Sequence, residues 1–298
     1  MTAAAMAEVA FDVRDALGEG PIWDARTGSL YWVDLLGKKL CIGDPVTGIA
    51  RARGLRYAAS KVTLCNDDRL LVSFLRCPAF GTFDAGMFEP MALPAELTDK
   101  QRFNDGACDS RGRLWTATYD GNLKTPNGRM VCIDGARIVR KAEGFRMPNG
   151  IRWSPDEKLM YFIDSWPGQV WAYDFDVDAA HLGERRLIID YEGSGVKPDG
   201  CAADADGCLW IAEVNRSRVA RFTPAGVLDQ VIEVPTFKPT SVCFGGADNK
   251  TLYITSRTDG LSAEQIALQP HAGAVFAARV DTPGLPEHRF KAAPHPTY

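Results

Sequence analysis

The sequence has no run of 18 apolar residues, no C-x-x-C pair and no block of five like charges, and each absence closes a class of protein. Without a long apolar run there is no helix to cross a bilayer. Without charge blocks, and with a net charge of −4, there is no electrostatic footprint for nucleic acid or an anionic membrane surface. The eight cysteines, Cys41, Cys65, Cys77, Cys108, Cys132, Cys201, Cys208 and Cys243, are scattered, with neither zinc-finger spacing nor the density of a disulfide scaffold. They read as reduced, mostly buried thiols. The opening "MTAAAMAEVAFDVRD" has no basic leader, and Glu8 interrupts its apolar run, so a cytoplasmic location is expected. His181, His271, His288 and His295 form no H-E-x-x-H pair, and neither a G-x-S-x-G elbow nor a G-x-x-x-x-G-K-S/T phosphate loop occurs. Helical periodicity is nearly absent as well; the one short helix expected lies in "LSAEQIALQP".

What is present is a repeat. A strand, a polar turn and a second strand opening with an aliphatic residue recur six times, the second strands being "SLYWVD", "RLLVSF", "RLWTAT", "LMYFID", "CLWIAE" and "TLYITS". Measured between Leu30, Leu70, Leu114, Met160, Leu209 and Leu252, the intervals are 40, 44, 46, 49 and 43 residues. A second pair of strand-like segments follows each phrase, and four short strands per unit of this length is the period of a propeller blade. Two packed sandwiches would also give regular short strands, but they do not require six copies of one phrase. The expectation is one all-β domain over residues 1–298, a six-bladed β-propeller, with the early strand "EVAFDV" pairing near the C-terminus to close the ring. A lone propeller needs no partner, so a monomer is expected.

The repeat places polar residues in register. Glu19 lies 11 residues before Leu30, Asn149 lies 11 before Met160, and Asp199 lies 10 before Leu209, each followed by glycine in "GEGP", "MPNG" and "KPDG". Asn104 and Asp105 of "RFNDG" lie 10 and 9 before Leu114. Asn, Asp and Gly also gather in ordinary turns. Yet equivalent positions of different blades converge on the propeller axis, and two carboxylates with an amide oxygen brought together there call for a cation or a shared proton. Such oxygens suit calcium, magnesium or manganese, with zinc or iron(II) where water completes the shell. On this reading Glu19, Asn149 and Asp199 hold one divalent metal.

With "LGEGPIW", "RFNDG", "PNG", "PDG" and "CFGG" in this order, the sequence resembles the family of senescence marker protein (regucalcin), gluconolactonases and related sugar lactonases, over nearly its whole length. The resemblance implies a six-bladed propeller with a central divalent cation on a Glu, an Asn and an Asp, which fall on Glu19, Asn149 and Asp199. It also implies a substrate role for Arg102 and Asn104, the hydrolysis of a small sugar lactone to its aldonic acid, and Asp199 as the base that activates water. That last role requires Asp199 to be only loosely bound to the metal. An acidic residue that regucalcin-like members use for sugar contact is unmatched; Asn122 stands there, with Tyr119 and Asp120 nearby, which leaves the particular sugar open. A phosphotriesterase or arylesterase on the same scaffold, or a calcium-binding propeller without catalysis, are the competing readings. The aromatic residues Trp32, Trp115, Tyr161, Trp210 and Tyr253 read as packing between blades at one strand position, and Trp153 as structural. Asp204, Asp206, Gly207 and Glu213 mimic part of an EF-hand loop, but Ala202 in its first place and flanking strands make this a hairpin turn.

Overall fold

The computed structural model describes residues 5–92 and 101–292; the first four residues of the opening segment and His295 lie outside them. The chain is almost entirely β, with six antiparallel sheets, each built from one copy of the repeat. Their inner strands are Gly18–Asp24, Ala59–Leu64, Gln101–Cys108, Pro148–Trp153, Lys197–Ala203 and Pro239–Gly245. Neighbouring inner strands pack side by side around a central axis, the sixth against the first. The six-bladed β-propeller is therefore present, with one short α-helix among the described residues, at Ala263–Leu268, capped by Ser262. No helix among the described residues is long and apolar enough to cross a membrane.

Closure uses the N-terminal segment twice. Glu8–Phe11 forms the outer strand of blade 6, antiparallel to Val275–Arg279 with Val9 opposite Phe276. Just before it, Ala5–Met6 runs parallel to Leu228–Glu233 at the outer edge of blade 5. One segment thus staples two blades and covers two sheet edges that would otherwise offer unpaired backbone groups.

The pleat of each second strand explains the interior. The aliphatic residues Leu30, Leu70, Leu114, Met160, Leu209 and Leu252 each face the preceding blade, and the residue after each faces the following one. That next residue is Tyr31, Leu71, Trp115, Tyr161, Trp210 or Tyr253. Trp32 therefore does not share the position of the other aromatics. It stands two places after Leu30, faces backward with it, and stacks on Phe11 of the closing strand at 5.5 Å. Trp153 is core, packed beside Phe175. All eight cysteines are free, and all but Cys77 are buried. The EF-hand-like run is a hairpin turn, in which Asp204 accepts from the Cys208 amide, Trp210 Nε1 and Arg221 Nε.

Three buried tryptophans donate their indole N–H to an aspartate: Trp115 to Asp109 at 2.8 Å, Trp210 to Asp204 at 2.9 Å and Trp32 to Asp15 at 2.7 Å. Asp109 and Asp204 also meet an arginine, Arg113 and Arg221, each at 2.7 Å. Asp15 has no such cation in contact, and burial, with Asp34 nearby, pushes its carboxyl up to about 7 against the opposing Trp32 N–H and Lys39. A carboxyl raised above its unfolded value holds its proton more tightly when folded. Its contribution to stability is full below about pH 4 and is lost as the pH rises through about 7, a swing on the order of a few kcal/mol. In Asp15→Asn, which keeps an oxygen acceptor for Trp32 and cannot ionise, the loss of urea-unfolding stability between pH 5 and pH 8 should shrink accordingly. An unchanged pH slope would show that Asp15 does not carry it.

Candidate metal and substrate site

Every inner strand carries a register break near its start, in the same place in all six blades. The breaks fall between Glu19 and Ile22, Ala59 and Lys61, Phe103 and Gly106, Asn149 and Ile151, Pro198 and Cys201, and Pro239 and Ser241. A bulge leaves residues out of the ladder and re-aims their side chains. The residues so released or flanking the break are Glu19, Ser60, Asn104 with Asp105, Asn149, Asp199 and Thr240, one set per blade. All six inner strands run the same way, so these groups ring one mouth of the channel.

The ring is cross-linked laterally. Ser60 Oγ donates to the Asn104 carbonyl at 2.9 Å, and Asn104 Nδ2 donates to the Pro148 carbonyl at 2.8 Å and to Asn149 Oδ1 at 2.7 Å. Asn149 Nδ2 donates to Ser165 Oγ at 2.8 Å, and Ser165 in turn donates to the Pro198 carbonyl beside Asp199. Thr240 Oγ1 donates to the Gly18 carbonyl beside Glu19. The glycines after the polar slots follow from this crowding. Gly20, at φ +54°, would place a Cβ 2.7 Å from Lys61 Cδ, and a Cβ on Gly200 would collide with Ser241.

Glu19 and Asp199 come together as the repeat implies. Burial pushes the Glu19 carboxyl well above the usual carboxylate range, and the charges of Asp199 and Asp105 push it further, against Arg257 and Lys61. Burial also raises Asp199, with Arg257 opposing and Asp105 adding to the rise. Neither carboxylate accepts a hydrogen bond from the described residues. The Asn149 amide is fixed by its Nδ2 donation to Ser165, which leaves Oδ1 with a lone pair beyond the one Asn104 occupies. Two unsatisfied carboxylates and an oriented neutral oxygen fit a hard divalent cation. No three His, Cys, Asp or Glu side chains gather as a metal cluster among the described residues, because the third donor here is an amide.

The substrate residues expected from the sequence fall in three situations. Arg102 is half-buried, opposite Tyr119 in the register, and its Nη1 donates to the Gln101 carbonyl at 3.2 Å. Burial raises the Tyr119 phenol, with Arg102 opposing. The Asn104 amide N–H groups are committed to Pro148 and Asn149, so this residue holds Asn149 in place, while its Oδ1 accepts nothing from the described residues. Asn122 sits on an exposed rim turn, where its Oδ1 accepts the Lys124 amide at 2.8 Å in an Asx turn. The neighbouring Gly121 lies alongside the Arg102 side chain, and Asn122 makes no hydrogen bond to the central group.

Sequence reasoning missed a charged layer in the same channel. Lys61 is 3% exposed and its Nζ lies 3.2 Å from Asp105 Oδ1. Burial alone would raise Asp105, but Lys61, Arg152 and the Gly106 N–H outweigh it and hold the carboxyl below its ordinary range. Arg152 continues to Glu287 at 3.5 Å. Counting back from Leu70, as was done for the other blades, finds Ser60 and Lys61 at 10 and 9 residues, in step with Asn104 and Asp105. Arg257, which opposes both central carboxylates, had no such signal.

The chain belongs to the SMP-30/Gluconolactonase/LRE-like family, whose pattern matches residues 17–258. It is 35% identical over 277 residues to a 6-deoxy-6-sulfogluconolactonase of Pseudomonas putida, covering 92% of this chain and 94% of that one. It is 32% identical over 286 residues to regucalcin of Gallus gallus, covering 93% and 95%. Its fold matches the crystal structure of a calcium-binding protein, regucalcin, from Agrobacterium tumefaciens with a TM-score of 0.91 at 24% identity, over 97% of this chain and 99% of that one.

The Lys61 and Asp105 pair is buried enough that removing one partner strands a charge, which costs about 3–5 kcal/mol. Lys61→Met and Asp105→Asn should each lose stability on that order by urea unfolding, and the double variant should lose clearly less than the sum. Additive losses would mean the two groups do not interact between the adjacent blades.

Proposed function

We propose that this chain is a divalent-metal-dependent hydrolase that opens a small sugar lactone to its aldonic acid. The observation that supports this most is the pairing of two carboxylates that accept no hydrogen bond from the described residues, Glu19 and Asp199, with the oriented oxygen of Asn149 at one mouth of the channel. The names of the relatives support the lactone chemistry, and the calcium-binding description of the Agrobacterium protein supports a divalent cation.

When bound, the cation supplies the Lewis acidity that polarises a lactone carbonyl and steadies the oxyanion formed as water adds. Asp199 takes the proton from that water. Burial raises its proton affinity in the metal-free site and a cation held there would lower it again, so the base role requires Asp199 to be only loosely bound to the metal. As the bond between the carbonyl carbon and the ring oxygen breaks, the proton taken by Asp199 passes to that oxygen and the open-chain acid is released. Arg102 offers a planar pair of N–H groups to sugar hydroxyls, the free Oδ1 of Asn104 accepts from another, and the Tyr119 phenol stands opposite Arg102 at the rim. Asn122, engaged in its own turn, contacts substrate only where a sugar reaches the rim.

Chelator-stripped protein should leave aldonolactones at their spontaneous rate in a weakly buffered acid-release assay. Activity should return with one of calcium, magnesium, manganese, zinc or iron(II). Glu19→Gln should lose both metal binding, read by calorimetry, and turnover. Asp199→Asn should lower turnover by about 10²–10⁴-fold even where metal is driven on at high concentration. Background rates with every metal and lactone would overturn the reading, and turnover of aryl esters alone would move it to the esterase class.

A further inference from the structure

Beside the mouth, between blades 1, 2 and 3, lies a cavity of about 780 Å³ that shares only Arg102 with the mechanism above. Its walls include Arg56, Tyr57, Arg76, Met87, Phe88 and Arg102. Arg56 and Arg76 are exposed, and among the described residues no carboxylate pairs with either of them or with Arg102. Arg56 rests over the Tyr57 ring at 5.3 Å. Elsewhere in the molecule arginines are commonly matched to acids, as Arg113, Arg221 and Arg279 are. Three guanidinium groups without a carboxylate partner among the described residues therefore line one cavity.

The cavity connects to the reaction centre through one strand. Arg102 and Asn104 are two residues apart on the same inner strand, about 7 Å from Cα to Cα, and Asn104 holds Asn149 Oδ1. A ligand with its reactive carbonyl at the Glu19, Asn149 and Asp199 group and its far end at Arg102 needs the reach of one sugar. At that far end it meets three cations, with the apolar Met87 and Phe88 lining the same cavity.

We propose that this cavity is an anion subsite, and that the substrate is a lactone carrying a second, permanently charged group (carboxylate, phosphate or sulfonate) at the end of the sugar remote from the lactone carbonyl. Arginine suits all three groups because its fork of N–H donors matches their paired oxygens. The proposal rests on the lactonase reading, so its test uses a turnover arm and a binding arm.

The turnover arm compares glucono-1,5-lactone with counterparts bearing a carboxylate, a phosphate or a sulfonate at C6, using metal-loaded wild type, Arg56→Ala and Arg76→Ala. The best charged lactone should exceed the neutral one in kcat/KM by about tenfold or more. Each variant should lower that value about three- to tenfold through KM, leaving the neutral lactone unchanged, and 0.5 M salt should narrow the preference. Which of the three anions leads identifies the charged group. The binding arm measures, by calorimetry, the affinity of the open-chain acids with and without the C6 anion, which needs no turnover. Binding of the charged acid that weakens in both variants supports the subsite even if every lactone hydrolyses at background, in which case the lactonase reading alone fails. Equal kcat/KM and equal binding for charged and neutral compounds, or losses in the variants that are the same for both, would overturn the subsite.

Discussion

The constraint on which the rest of the structure depends is the crowding of six inner strands around one axis. Around that axis the ladder of each inner strand is broken by a bulge near its start. The bulge has two consequences. It brings neighbouring backbones so close that glycine is required after the slots in blades 1 and 5. It also turns one or two polar side chains per blade out of the ladder, where small hydroxyls and amides tie them to the next blade. Ser60, Asn104, Ser165 and Thr240 are these ties, and each bonds to a carbonyl beside or at a functional residue. Positioning of the site and closure of the ring are thus one set of contacts.

Such a ring fixes oxygen atoms without neutralising them. Glu19 and Asp199 face each other and Asp105 with only Arg257 and Lys61 to offset their repulsion, so their proton affinity rises when no cation is present. The layer beneath behaves differently, because Asp105 has Lys61 in contact and Arg152 close by and stays ionised. Two carboxylate environments, one starved of cations and one supplied, therefore sit along a single channel. The first suits a cation-dependent site, and the second holds adjacent blades together beneath it.

Much of this was legible in the sequence because the repeat converts linear spacing into angular position. Six aliphatic marks were enough to give the blade count, the closing strand at Glu8–Phe11, and the convergence of Glu19 and Asp199. What escaped has specific causes. Trp32 was grouped with the wrong aromatics because a shift of one residue on a strand exchanges faces, and only Tyr31 keeps the parity of Trp115 and Trp210. Lys61 was within reach of the same counting but does not look like the oxygen-bearing residues of the other blades. Ser165, Arg257 and Glu287 lie outside the inner strands, on connections whose path no periodicity records. Asn122 shows the reverse case, a residue whose place in a motif is matched while its side chain is spent on its own turn.

The same distinction between summed and local quantities governs electrostatics. A net charge of −4 says that the molecule as a whole does not seek anions. Yet much of the acid is consumed in pairs on the outer surface, such as Asp248 with Arg279, Asp174 with Arg186 and Asp178 with Arg111, and these do not act at the mouth. Among the described residues, the charges at the mouth without an ion-pair partner include Arg56, Arg76 and Arg102 at the rim and the two carboxylates at the centre, which Arg257 offsets only in part. A divalent ion on those carboxylates would cancel their two charges and leave the rim arginines uncompensated. A negatively charged ligand would then meet favourable potential at the rim and no net repulsion at the centre, and salt screens the exposed rim most strongly. Composition averages over this arrangement, because the sign of a binding site depends on which charges remain unpaired and where the fold collects them.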